Sequence, residues 1–313
     1  MQVADFTDRR AAVRETSFRV MGSGARVVTV GGPEELTDVA RRRLAHLEAC
    51  WSRFLPDSDV SRLNRADGQS VTVDPATVTL LTHLVAAWRA TGGAFDPTLL
   101  PAVVAAGYEA SWDDPTTRTS LSAGLSLRGR PEGIVVDPST ATARLPRGTT
   151  VDPGGLGKGL AADLVSVELV GAGASGALVS VGGDVRMAGQ APRPEGWHVD
   201  VEDPFVPDRV LTRVVLSDGG AATSSTLARS WSRGGRRRHH LIDPATGMSA
   251  ATAVIAATVI ASTAAWAEAF AKLPLVVGAA TALSQLDALG LPGVVVGASG
   301  EVASSSAWDR FSA

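Results

Sequence analysis

At 313 residues with a formal net charge of -3, the chain can bury a large core and carries no basic excess for a nucleic-acid backbone or an anionic membrane surface. Its single cysteine, Cys50, excludes internal disulfides and thiolate metal clusters and fits a reducing compartment. Residues 1–14 are polar with no apolar signal core, and Thr, Ser, Glu and Trp interrupt the longest apolar stretch, 250–271, so the expectation is a cytoplasmic protein without membrane insertion.

Residues 26–30 read as a strand. Pro33-Glu34-Glu35 then opens a helix, with proline and acids in the first turn. Leu36, Ala40, Leu44, Leu47, Trp51 and Phe54 recur at three- and four-residue spacing and predict its buried face. A short turn or helix follows over 58–64, and a second long helix runs from Pro75 to Thr91 with Gly92-Gly93 as its C-cap. The Pro-, Gly- and Thr-rich segment 108–148 holds strand pieces at 125–127, 133–136 and 143–145.

Next comes Val151-Asp152-Pro153-Gly154-Gly155-Leu156-Gly157-Lys158-Gly159-Leu160-Ala161-Ala162-Asp163. Its glycines let a ligand approach the backbone closely, Lys158 sits in the loop, and Leu160 onward reads as a helix. Such a turn suits an anion, because free N–H groups and the helix dipole point at it. It is neither a P-loop nor a dinucleotide fingerprint, since the glycine order is G-G-x-G-x-G and no Ser or Thr follows Lys158.

Beyond it, strands are expected at 177–181, 197–202, 209–216, 253–260 and 293–297, with a helix over 264–273. Strands and helices interleave without a strict βαβ rhythm, which predicts an α+β fold of mixed sheets with packed helices. Asp184, after two glycines, is a turn acid or a ligand contact. The basic run 233–240, ending in His239 and His240, is a solvated face or steers a phosphorylated ligand. No zinc spacing and no G-x-S-x-G nucleophile motif occurs. Residue chemistry by itself supports a nucleotide- or phosphate-handling protein.

Taken together and in order, Met21-Gly22-Ser23, Ser52-Arg53-Phe54 with Asp57-Ser58 through Asn64, Thr91 to Pro97, Val151 to Asp163, Ser180 to Val185, Ala222-Thr223-Ser224 and His240 to Gly247 resemble the ApbE family of FAD:protein FMN transferases. The resemblance implies one ApbE-like domain over 1–313, or two lobes with the FAD cleft between them. It implies cleavage of the FAD pyrophosphate and transfer of FMN to a Thr or Ser of an acceptor protein, with AMP leaving and Mg²⁺ assisting. Met21, Phe54, Ala94, Phe95, Asp96, Asp152, Lys158 and Ile242 stand at FAD-contacting positions, and Lys158, His240 and Asp243 at catalytic ones.

The implied metal site is Gly155 O with an Asp and, four residues on, a Thr. Here those two positions are Glu268 and Lys272. Glu keeps the charge and lengthens the reach, but an ammonium has no acceptor and cannot ligate a metal. Three readings stay open: a transferase with a shifted metal, a transferase with Lys272 in place of the cation, and a flavin carrier that keeps FAD without transferring it. An NAD-linked oxidoreductase is disfavoured, and a structural protein with a fortuitous glycine loop is the bland alternative.

Overall fold

The structure is a computed structural model describing residues 12–311 apart from Ala123, so most of the polar N-terminal segment lies outside the described residues. Its helices are α1 (Leu36–Trp51), α2 (Asp59–Arg65), α3 (Pro75–Ala90), α4 (Leu100–Ala106), α5 (Gly157–Gly171), α6 (Ala264–Phe270), α7 (Leu273–Val277) and α8 (Ala279–Leu289). None is long and apolar enough to cross a membrane.

The frame is an eight-stranded sheet, ordered Val13–Val20, Ser23–Val30, Gly176–Val181, Asp184–Gly189, Gly219–Ser225, Val254–Ala261, Gly293–Gly297 and Val302–Ser304. Every neighbouring pair is antiparallel, so the fold is α+β, with helices segregated from strands as that class requires. Period-two alternation divides the core. Val27, Val179 and Val181 face one layer with Leu44, Leu47, Leu160 and Ala161 from the helices. Val28, Leu178 and Met187 face the other, packed on Trp197, Val201, Val214 and Leu216 of the hairpin 197–216.

The expected face of α1 is buried at Leu36, Ala40, Leu44, Leu47 and Trp51, but the helix ends there and Phe54 falls past it. The α3 reading also holds: Asp74 Oδ1 accepts from Ala76 N (2.8 Å), Pro75 sits in the first turn, and Gly92 and Gly93 leave with positive φ.

Three expectations need correction. The helix after the glycine turn begins at Gly157 rather than Leu160, so Lys158 is helical, and a short 3₁₀ turn over Pro153–Gly155 precedes it. The helix expected over 264–273 is two helices, because Pro274 has no N–H to give to Phe270 O and starts α7 instead. Residues 125–127 form no strand; that segment is tied down by Arg128 Nε on Asp96 (2.8 Å) and Gly129 N on Thr98 Oγ1 (3.1 Å).

Candidate active site

Segments far apart in sequence meet around one cavity of about 500 Å³, within the usual ~300–1,000 Å³ of small-molecule sites. The first is the hairpin turn Met21-Gly22, where both residues take positive φ (52° and 64°) as a two-residue hairpin loop demands. Met21 pays a left-handed penalty of about 1 kcal/mol there, and its N–H is held by Glu48 Oε1 at 2.8 Å.

One wall is aromatic. Tyr108, the chain's only tyrosine, lies 6.0 Å from Phe54, 6.3 Å from Trp112 and 5.9 Å from Trp231 between ring centroids. The Arg53 guanidinium stacks 4.3 Å from the Phe54 centroid and 4.7 Å from that of Tyr108. Arg229 donates to Tyr108 Oη at 2.7 Å and to Ser23 Oγ at 3.3 Å. Burial raises the Tyr108 phenol, so it stays protonated. The result is an aromatic wall of mutually tilted rings, edged by two guanidinium groups.

The glycine turn forms the opposite side. Asn64 clamps its start by bonding both Val151 N (2.7 Å) and Val151 O (2.9 Å). Asp152 Oδ1 caps Gly154 N at 2.9 Å, while Asp152 Oδ2 faces Arg53 Nε at 3.2 Å. The glycines serve packing as much as ligand approach. A Cβ on Gly155 would stand 2.8 Å from Phe95 Cε2 and 2.9 Å from Lys272 Cε, and one on Gly159 would stand 2.5 Å from Ala264 O.

That closeness lets α6 meet α5. Asp163 accepts from Ala264 N (2.8 Å) and Ala265 N (2.9 Å), and so caps α6 from outside it. Glu268 is thereby aimed at α5. Its Oε2 accepts from Gly159 N (2.8 Å), and its Oε1 accepts from Lys158 Nζ (2.8 Å) with Lys272 Nζ at 3.7 Å. Lys158 also pairs with Asp184, and Lys272 donates to Glu268 O at 3.0 Å. Burial presses on Lys158, but Asp184 and Glu268 outweigh it and hold the ammonium above the usual lysine range. Burial pulls the Lys272 ammonium below that range. Burial also opposes the charged form of Glu268, yet Lys158 and Lys272 prevail and keep it below the ordinary carboxylate range.

The donors at the implied metal site do not fit Mg²⁺, which asks for near-octahedral oxygen coordination. Both Glu268 oxygens already accept from N–H donors, Lys272 has no lone pair to give, and its stem lies against Gly155.

Of the expected site residues, Met21, Phe54, Ala94, Phe95, Asp96, Asp152, Gly155, Lys158, His240, Ile242 and Lys272 line the cavity. Glu268 lies behind Lys158, 1% exposed. Asp96 is also largely engaged, accepting from Thr98 N (2.8 Å), Thr98 Oγ1 (2.6 Å) and Arg128 Nε (2.8 Å). Asp243 does not line the cavity. Its carboxylate closes its own turn, on Ala245 N (2.9 Å) and Thr246 Oγ1 (3.0 Å), as an aspartate before proline does. His240 does reach the cavity, and burial, then Arg229, pushes its imidazole down to about 3. Its Nδ1 faces Arg229 O at 3.4 Å and so carries the proton, which leaves Nε2 as an acceptor.

The basic run folds into the hairpin Ser230–Arg233 with Arg236–His239, turned by Gly234-Gly235. Arg233 donates to Ala105 O (2.8 Å) and Trp231 to Ala106 O (2.8 Å), so the run braces α4, and Arg229 is the arginine that enters the cavity from this region. Reasoning from sequence missed Tyr108, Trp112, Arg229 and the structural part of Asp184. A lone tyrosine in a Pro- and Gly-rich segment was the available signal for the first.

The ApbE family model matches residues 21–295. The chain is 27% identical over 259 residues to the FAD:protein FMN transferase of Vibrio cholerae serotype O1, covering 82% of this chain and 77% of the relative. It is 32% identical over 244 residues to the FAD:protein FMN transferase of Rhodobacter capsulatus, covering 75% of this chain and 46% of that longer relative. Among solved structures, the ApbE protein of Thermotoga maritima superposes with a TM-score of 0.85 at 25% identity, covering 96% of this chain and all of that one.

Proposed function

The chain belongs to the ApbE family, and from that premise we propose that it is a FAD:protein FMN transferase. The observation that carries this reading is one cavity joining an aromatic wall edged by guanidinium groups to two ammonium groups over a glycine turn. The first suits a flat heteroaromatic ring and the second a pyrophosphate. The neighbourhood of Met21, Phe54, Ala94, Phe95, Asp96, Asp152 and Ile242 would hold the dinucleotide between them, with the chain acting as one unit around the cleft.

In this reaction a Thr or Ser hydroxyl of the acceptor protein attacks the FMN-side phosphorus. The P–O bond to the AMP phosphate breaks, AMP leaves with the bridging oxygen, and the hydroxyl proton passes to that phosphate and on to solvent. Such transfer asks for in-line positioning and cationic stabilisation more than for covalent help. Lys158 supplies a fixed positive charge, because two enclosed carboxylates hold it in place before substrate arrives. His240, neutral, offers an acceptor at the cavity edge, and Asp243 shapes the turn that presents Ile242.

The test is incubation with FAD and an acceptor carrying a Thr/Ser flavinylation motif, read as covalent flavin fluorescence on a denaturing gel. A fluorescent acceptor band is expected. Its absence with FAD bound, using an acceptor that a known family enzyme modifies, would favour the second reading. That reading, a carrier that keeps FAD, is motivated by Lys272 at the implied metal position.

A further inference from the structure

Lys158, Asp184, Glu268 and Lys272 form a cluster of two cations and two anions, and its layering has a direction. Both lysines line the cavity, whereas neither carboxylate does. Asp184 is 2% and Glu268 1% exposed, beneath the ammonium groups. A divalent cation arriving from the cavity would meet two positive charges first. It would also have to displace Lys158 and Gly159 N to reach the oxygens of Glu268. A phosphate group arriving the same way meets the ammonium ends of these ion pairs first, with the carboxylates farther from it. Opposed unit charges about 4 Å apart attract by several kcal/mol at the intermediate dielectric of such a site, while a second cation there is repelled on the same scale.

We infer that in this chain the Lys272 ammonium is the resident cation at the pyrophosphate, and that FMN transfer proceeds without a divalent metal. The inference rests on the transferase reading and specifies its electrostatics. Lys272 is tethered for this role: its stem lies against Gly155, where a Cβ would stand 2.9 Å from its Cε, and its ammonium is anchored on Glu268 O. As the acceptor oxygen bonds to the FMN phosphorus and AMP departs, negative charge grows on the leaving phosphate. Lys158 and Lys272 face that charge together, with no change in their own protonation required.

The experiment has two arms on the wild-type full chain. In the first, Mn²⁺ is titrated into the FAD-saturated protein and free Mn²⁺ is followed by electron paramagnetic resonance against FAD alone. No uptake beyond the FAD control is expected, and one tight equivalent would overturn the inference. In the second, transfer is timed in EDTA and in Mg²⁺. Equal rates are expected, and a rate in EDTA lower by on the order of a hundredfold, the scale of losing one electrostatic stabiliser, would overturn it. Lys272→Met should lose transfer in EDTA on that scale, while Lys272→Arg should keep most of it; the reverse order counts against the inference. If FAD binds but the acceptor stays dark under both conditions, the transferase reading fails, and the Mn²⁺ arm still decides which cation the site holds.

Discussion

Lys158 donates to two carboxylates that have almost no contact with water, so its removal strands their charges. Breaking a buried ion pair from one side costs about 3–5 kcal/mol. Lys158→Met should lower unfolding free energy in urea by that amount, and adding Asp184→Asn should restore part of it. An unchanged midpoint in the single variant would mean that the carboxylates find water or protons without strain. His240 makes a second prediction, in pH. Its folded-state value of about 3 lies below the ordinary 6.5, so the unfolded chain takes up this proton first as pH falls. Stability is therefore lost as pH drops from about 6.5 towards 3, on the order of 1 kcal/mol per pH unit, and this group contributes no slope above that window. In His240→Gln the slope should shrink by that much; parallel curves for the two proteins would show that the ring protonates in place.

Between elements, the contact that sets the site is the crossing of α5 and α6 at Gly159. A methyl there would sit 2.5 Å from Ala264 O and 2.8 Å from Ala265 N, both backbone atoms with no room to turn aside. Gly159→Ala should cost about 1–3 kcal/mol through overpacking and loosen Glu268's hold on Lys158. Gly171→Ala, on the same helix with open space at its Cβ, should cost nothing. Equal effects in thermal unfolding would reject the packing argument. What was legible at this scale follows the same logic. The faces of α1 and α3 could be read because local periodicity agrees with their burial; in α3 the Asp74 cap and Pro75 agree as well, whereas α1 starts at Leu36, past the expected Pro33-Glu34-Glu35 turn and without a side-chain cap. The start of α5 could not, because glycines inside a helix look like a loop until a second helix is seen pressing on them. The strand Asp184–Gly189 was hidden as well, since its first residue faces Lys158 rather than solvent and leaves no clean polar-apolar alternation.

Across the whole molecule, the cavity joins the Met21 turn, Arg53 and Phe54, Phe95, the glycine turn, Tyr108, Arg229, His240 and Lys272. The members set in recognisable motifs were legible from sequence. Tyr108 and Arg229 were not, because what marks them is a contact with each other across 121 positions of chain. The ordered expectation of one ligand touching all these segments can be tested as a unit. A ligand at a hundredfold excess over its dissociation constant stabilises the folded state by about 2.7 kcal/mol, and the gain falls on every segment whose opening releases it. Amide hydrogen exchange with and without FAD should therefore slow together in the Met21 turn, residues 94–96, residues 152–158 and residues 240–242. Amides of the hairpin 197–216, which covers the opposite face of the sheet, should change only through global unfolding. Protection confined to 152–158 would reduce the site to an anion-binding turn and detach the aromatic wall from it. Protection spreading through all four segments would mean that the flavin nucleotide is gripped along its whole length.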